Sequence, residues 1–127
     1  MRKLFSFKKK EKARTKFTVG EILDALDKNG LPWGKGDFQD GGFCALGQIG
    51  VNLGIISKER THTTEEEIGR GRLYEMDAQL GGLTGYRTSL ITFNDTKATS
   101  LKEVQRFAHG VYDEFRDVEI NIKAVWE

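Results

Sequence analysis

The chain of 127 residues has one cysteine, one proline, two histidines and no long uninterrupted apolar run. A lone cysteine excludes an internal disulfide and a cysteine-based zinc site, so a reducing cytoplasm is the expected compartment. The missing apolar runs exclude a transmembrane helix, and the N-terminus lacks the apolar core of a signal peptide. His62 and His109 form no metal-ligand spacing, and the carboxylates are nowhere grouped as a recognisable catalytic pair. Neither a metal nor a cofactor is therefore expected.

Net charge is also scarce, at +1, but that figure hides a division. Residues 1–16 hold eight Lys/Arg against Glu11, a local charge of +7, while the other twelve Lys/Arg face eighteen Asp/Glu, a charge of −6. Length allows one domain with a single core. The expected organisation is a basic arm, 1–16, on a globular domain, 17–127. In the arm, Lys8, Lys9, Lys10, Lys12, Arg14 and Lys16 form a surface for polyanions, and Leu4, Phe5 and Phe7 suit an anionic lipid interface. Charge blocks of this kind are also found as solvated tails, and lysines suit an edge strand near Lys3–Lys8.

The central stretch is DGGFCALGQIGVNLGII, Asp40 to Ile56. Ala45, Leu46, Ile49 and Leu53 form one helical stripe, with Gly47, Gly50 and Gly54 on the strip beside it. Interior glycines cost a helix about 0.5–1 kcal/mol each relative to alanine. Their presence predicts a smooth face where a backbone or a ligand comes close.

Four helices are expected, near 18–29, 43–53, 64–80 and 100–115. Thr18 and Glu21 have capping-box spacing, Phe17 and Ile22 can form a hydrophobic staple, and Asn29-Gly30 supplies a stop. The following loop, LPWGKGDFQDGG, holds the proline and a cluster of glycines, with Trp33 and Phe38 able to fold back on the core. It matches neither phosphate-binding glycine pattern. Thr63 or Thr64 caps the third helix, where Gly69-Arg70-Gly71 reads as two tolerated glycines with solvated arginines. Ser89–Phe93 leans toward strand, and Asn94-Asp95 reads as a turn. Ser100 and Glu103 repeat the capping-box spacing. Leu101, Val104, Ala108, Val111 and Phe115 make the apolar side of the last helix, with Phe107 and Tyr112 flanking. Alternation over Val118, Ile120, Ile122, Ala124 and Trp126 predicts a half-buried C-terminal strand that pairs with Ser89–Phe93, with the arm, or with a second copy of the chain. The fold class is α+β: a mostly helical single domain with a small sheet that includes this strand.

Cys44, His109, Asn94 and Asp95 supply the residue types of a thiol enzyme. A cysteine near a helix start is one requirement. His109, however, lies about 140° around the last helix from Val104, on its solvent side. Cys44 also reads as a small buried residue. Asn94 or Asp95 can bond the free backbone groups at the start of the Cys44–Gly47 helix. Cys44, Gly47, Gly50, Asn94 and Asp95 then form a structural clasp, or else a cleft holding a small ligand.

The segments N-G-L-P-W-G…G-G-F-C-A-L-G-Q-I and L-I-T-F-N-D-T-K-A-T-S-L-K-E-V-Q-R-F-A resemble a small domain family of actinobacteria and bacteriophages. That family is marked by a C-A-L-G-A-[LI] helix and a W-N-D turn before a T-x-x-E-V helix. The resemblance covers about residues 20–112. Cys44, Ala45, Leu46 and Gly47 fit the first signature; Asn94, Asp95, Glu103 and Val104 fit the second. Phe93 stands in place of the tryptophan and Gln48 in place of an alanine. The family has no established activity to transfer, so the resemblance implies a bacterial or phage setting and a helical core.

These readings lean toward a non-enzymatic accessory protein that binds a host macromolecule. The expected partner is foremost a host protein, with nucleic acid or an anionic membrane surface through the arm and a second copy through the C-terminal strand. The alternative is a small enzyme or ligand-binding domain using the glycine-rich cleft near Cys44 and Asn94/Asp95.

Overall fold

Phe17 and Ile120 bring the two ends of the domain together. In the computed structural model, which describes residues 14–36, 38–39, 42–87 and 89–123, β1 (Lys16–Thr18) pairs antiparallel with β2 (Glu119–Asn121). Phe17 faces Ile120 in register, and both are buried. The C-terminal strand thus pairs with the segment entering the first helix, which overlaps the expected arm only at Lys16, and not with Ser89–Phe93. Ile122 is also buried, whereas Val118 is 37% exposed, and Ala124 and Trp126 lie outside the described residues.

Five helices follow β1 in the described residues: α1 (Val19–Asp27), α2 (Ala45–Asn52), α3 (Thr64–Leu83), α4 (Leu90–Thr96) and α5 (Leu101–Tyr112). A 3-10 turn, Asp113–Phe115, joins α5 to β2. The fold is α+β and mostly helical, with a two-stranded sheet. Helix α1 packs on α2 and α5, and α2 packs on α3 and α4. Ile22, Leu23, Leu26, Leu46, Ile49, Leu73 and Leu80 meet there almost wholly out of water. Each such side chain contributes about 1.5–3 kcal/mol.

The start of α1 accounts for every backbone donor that a helix leaves open. Thr18 and Glu21 form the full capping box: the Thr18 N–H donates to Glu21 at 2.9 Å, and the Glu21 N–H donates to the Thr18 hydroxyl at 3.1 Å. The other two donors leave the local sequence. The Val19 N–H reaches the Val118 carbonyl at 2.9 Å and the Gly20 N–H the Arg116 carbonyl at 3.0 Å. At the other end, Asn52 of α2 and Gln105 of α5 donate to the Ala25 and Leu26 carbonyls, each at 2.9 Å. Helix α1 ends at Asp27, two residues short of the expected Asn29.

Several local expectations need correction. Ser89–Phe93 is no strand: Ser89 caps α4, accepting the Thr92 N–H at 3.2 Å, and Asn94-Asp95 lies inside that helix. Two donors fix its start, because the Asp77 carboxylate of α3 takes the Leu90 N–H at 3.0 Å and the Ser89 hydroxyl at 2.9 Å. Burial pushes the Asp77 carboxyl up, against the Ser89 hydroxyl and the Leu90 and Ile91 N–H groups that hold it down. The arginines around Gly69 and Gly71 are not solvated. Arg72 is buried, and Arg70 donates to Gln39 and to the Thr61 carbonyl. Gly69 itself is required, since a Cβ there would stand 2.5 Å from the Ile55 carbonyl oxygen. In α5, Tyr112 is wholly buried instead of flanking the apolar side. Ser100 caps α5, but Glu103 reaches back to the Thr99 N–H, one residue before the cap, at 2.7 Å.

The central glycines divide by role. A Cβ on Gly47 would stand 2.3 Å from the Phe38 carbonyl oxygen, and one on Gly50 would stand 2.6 Å from Leu73. Gly54 lies beyond α2 at φ +77 with nothing near it, so it serves the turn and not a smooth face. Gly110, on the exposed side of α5, has open space at the Cβ position and no left-handed φ. Gly47→Ala should therefore lose about 2 kcal/mol or more, because backbone must move. Gly110→Ala should gain about 0.5–1 kcal/mol from helix propensity. Urea unfolding of both variants checks the pair, and equal losses would refute the assignment.

Candidate functional site

Asn94 is wholly buried, and its side-chain amide ties three segments together. Its Oδ1 accepts the Trp33 Nε1–H at 2.8 Å and the Ala45 N–H at 3.1 Å. Its Nδ2 donates to the Gly34 carbonyl at 3.3 Å and to Asp95 Oδ1 at 3.0 Å. Two acceptances and two donations use everything that an amide offers. Asp95 continues the grip, accepting the Gly36 N–H at 2.8 Å. The bond to Ala45 caps α2 from a residue 49 positions away. Cys44 occupies the N-cap position but makes no side-chain cap bond, so the Asn94 oxygen takes that place.

The loop held by Asn94 runs backbone against backbone. Trp33 and Phe43 form a parallel bridge, and the Phe43 N–H donates to the Pro32 carbonyl at 2.8 Å. Gly34 and Gly42 cross so closely that a Cβ on Gly42 would stand 3.0 Å from the Gly34 Cα. Gln48 of α2 also donates to this loop, at the Phe43 carbonyl, 3.1 Å away. Phe38 folds onto Tyr74 of α3, ring centres 5.3 Å apart.

Between this loop, α2, α3 and α4 lies a cleft of about 250 Å³. Cys44, Asn94 and Asp95 line it, together with Arg60, Arg70 and Tyr74. Gly47 and Gly50 do not: Gly47 lies on the Phe38 backbone and Gly50 on Leu73 and Ile56. The polar groups of the wall are largely engaged with the protein itself. Asn94 and Asp95 hold backbone, and Arg70 bonds Gln39 and Thr61. Cys44 is buried.

His109 is not part of this cleft. It sits on α5 with its side chain 30% exposed, Nε2 bonded to Asp27 of α1 at 2.8 Å and Nδ1 to Asp113 at 2.8 Å. It therefore faces α1 half-buried, where the helical wheel placed it toward solvent. Burial opposes the charged ring, but the bonds to Asp113 and Asp27 outweigh it and raise the histidine. The same bond to His109 lowers Asp113, aided by Arg116. Among the described residues no group of three or more His, Cys, Asp or Glu side chains is placed to hold a metal ion.

The arm residues divide at Arg14. Lys8, Lys9, Lys10 and Lys12 lie outside the described residues. Arg14 pairs with Glu21 at 2.6 Å and lies over the Phe17 ring, 4.3 Å from its centre. Lys16 belongs to β1. Sequence reasoning missed Trp33, Gly34 and Gly36 as the partners of Asn94 and Asp95, and Arg60, Arg70 and Tyr74 as cleft walls. The one signal for Arg70 was the Gly-Arg-Gly-Arg run. No helix among the described residues is long and apolar enough to cross a membrane. Comparison with known proteins gives no match to a family model, a curated protein or a solved structure.

Two outcomes follow. Asn94→Ala leaves the Trp33 Nε1–H, the Ala45 N–H and the Gly34 carbonyl without their partner, at about 1–3 kcal/mol for each buried group. A loss of about 3 kcal/mol or more is expected in urea, and a loss under about 1 kcal/mol would show that water replaces the amide readily. For His109 the raised value means that its stabilisation is complete below about pH 6.5 and disappears as pH rises through the higher folded value. The melting temperature should fall from pH 6 toward pH 9, and His109→Gln should flatten that fall. An unchanged slope in the variant would remove His109 as the cause.

Proposed function

We propose that this chain is a non-enzymatic accessory protein, bacterial or phage in setting, that acts by binding a host macromolecule through its basic N-terminal residues. The carrying observation is the charge division, +7 over residues 1–16 against −6 over the rest. Such a division steers a polyanionic or acidic partner toward one end of the chain and repels it from the other. A host protein is the first candidate, with nucleic acid or an anionic membrane surface as the other partners that this charge suits. The commitments of the polar side chains support this reading. Asn94 and Asp95 spend their hydrogen bonds on the protein's own loop, and His109 is held between two carboxylates. On this reading the two sequence signatures meet as a clasp that maintains the domain.

Arg14 and Lys16 are engaged with the body, so the test removes residues 1–13 and leaves β1 whole. Full-length and truncated proteins, with matched melting temperatures, are used side by side as bait in bacterial lysate at low and raised salt. Partners should bind the full-length chain in a salt-sensitive way and be lost from the truncated one. Equal capture by both forms would sink the proposal.

A further inference from the structure

A second depression, about 430 Å³ in volume, opens where the turn after α3 meets α4 and α5. Tyr86, Arg87, Thr92, Phe93, Lys97 and Phe107 line it together with Ser89, and no carboxylate is in its wall among the described residues. Phe93 and Phe107 are half-buried and stack face to face, 4.1 Å apart with planes 6° from parallel. Tyr86 is 77% exposed.

Tyr86 stands where the fold asks for a different residue. Its N–H donates to the Gly81 carbonyl at 2.7 Å and closes the end of α3, with φ at +64 directly after Gly85 at +70. Glycine or asparagine adopts that conformation readily, and a bulky side chain does not. The ring gains little burial in return. It lies beside Gly82, where a Cβ would stand 3.4 Å from the Tyr86 hydroxyl. A large ring kept outside the core, on a backbone that disfavours it, suits contact with something else.

Positive charge prevails around it. Residues 84–107 carry four Lys/Arg and two acids, Asp95 and Glu103, inside a body that is acidic as a whole. Both acids are engaged, Asp95 by the Gly36 N–H and Glu103 by Thr99. The Arg87 guanidinium bonds the Thr84 carbonyl at 3.3 Å. Neither Arg87 nor Lys97 has a carboxylate partner among the described residues. An exposed aromatic face beside cations that have no carboxylate partner among the described residues fits a ligand that joins a flat ring to a negative group. An apolar peptide anchor would call for a closed slot, whereas stacking needs only an open ring.

We propose that this groove takes a nucleotide unit of a single-stranded nucleic acid. A base stacks on Tyr86 against the Phe93–Phe107 wall, and its phosphate is held by Arg87 and Lys97. The groove belongs to the body, so the inference goes beyond the reading of the arm.

The test is fluorescence anisotropy of the full-length protein with a labelled thymidine strand of about twelve nucleotides, long enough to span a groove of this kind. Tyr86→Gly removes the ring at a φ that glycine favours, and a melting curve verifies the fold. It should weaken binding roughly 5-fold or more, while Tyr86→Phe stays within about 2-fold of the parent. Lys97→Glu should weaken binding and lower the salt slope by about 1. Thymidine monophosphate as competitor separates the sources: displacement at comparable concentration assigns the groove to free nucleotide, and its failure to displace assigns it to the strand. No binding by the parent chain, or Tyr86→Gly binding as the parent does, would overturn the groove. In the second case a salt-sensitive affinity lost on removing residues 1–13 leaves the arm's role standing. An acidic peptide bearing one phenylalanine that binds more tightly than the strand, through Tyr86, would also overturn it in favour of a protein partner.

Discussion

The Asn94 side chain must stay where it is for the rest of the domain to keep its shape. One buried amide bonds the Trp33 indole, the first helical N–H of α2, and the backbone of the glycine loop. A buried donor or acceptor left unpaired costs about 1–3 kcal/mol, and several such groups converge here. Their demand is directional, so α4 is held in rotation as well as in position. No other common side chain of this size both donates and accepts twice. Aspartate would keep the accepting oxygen but put a second oxygen where the donating nitrogen stands, losing both donations, and its charge would face Asp95. Glycine is the second half of the constraint. The loop passes beneath the amide with backbones so close that a Cβ is excluded on Gly47 and crowded on Gly34 and Gly42.

This arrangement recurs at other helix starts. The opening donors of α1 go to the carbonyls of Arg116 and Val118, those of α2 to Asn94, and those of α4 to Asp77. Local caps act beside them, the Thr18–Glu21 box at α1 and Ser89 at α4, while α3 and α5 open on Thr63 and Ser100 from their own sequence. Short helices such as α2 and α4 are marginal alone. Here each is fixed at its first turn by a group on another element, so their formation is coupled to tertiary assembly. The carbonyl end of α1 is treated likewise, by Asn52 and Gln105. Chain entry, both short helices and the C-terminal segment thus depend on one another.

That coupling also explains what could be read from the chain beforehand. Thr18 with Glu21, and Ser100 with Glu103, lie three residues apart, so the caps of α1 and α5 are written locally. The alternation over Val118–Ile122 marked a strand with a buried face, and Ile120 and Ile122 occupy it. Helix α4 was misread because Leu90–Phe93 is β-branched and aromatic, with an Asn-Asp pair behind it. Its helical state comes from Asp77, thirteen residues earlier, at Leu90. The conformation of such a segment is decided by a partner that the local pattern does not contain. The glycines were ambiguous for the same reason: one-dimensional spacing marks both Gly47 and Gly54, yet a carbonyl excludes a side chain at the first and backbone φ favours glycine at the second. At the candidate site, the grouping of Asn94 and Asp95 with the start of α2 was open to reading. Trp33, Gly34 and Gly36 were not, because their bonds to the pair span about sixty residues.

Placement of the titratable groups follows from this internal economy of hydrogen bonds. His109, Asp27, Asp113, Arg116 and Asp24 form one connected set along the α1–α5 side. Solvent-exposed pairs of this sort contribute little singly. Their effect is to neutralise charge where the two helices meet, beside the carbonyls that already tie the C-terminal segment to α1. Across the rest of the body, Asn94, Asp95, Asp77 and Arg70 answer the needs of the backbone in the same way. Less bound into this self-satisfaction is the exposed cationic, aromatic corner of Tyr86, Arg87 and Lys97, where Arg87 reaches only the Thr84 carbonyl among the described residues. Apart from the buried Gln48 Oε1, which has no partner among the described residues, the polar groups named above serve the fold, whereas core packing requires none of those three exposed side chains.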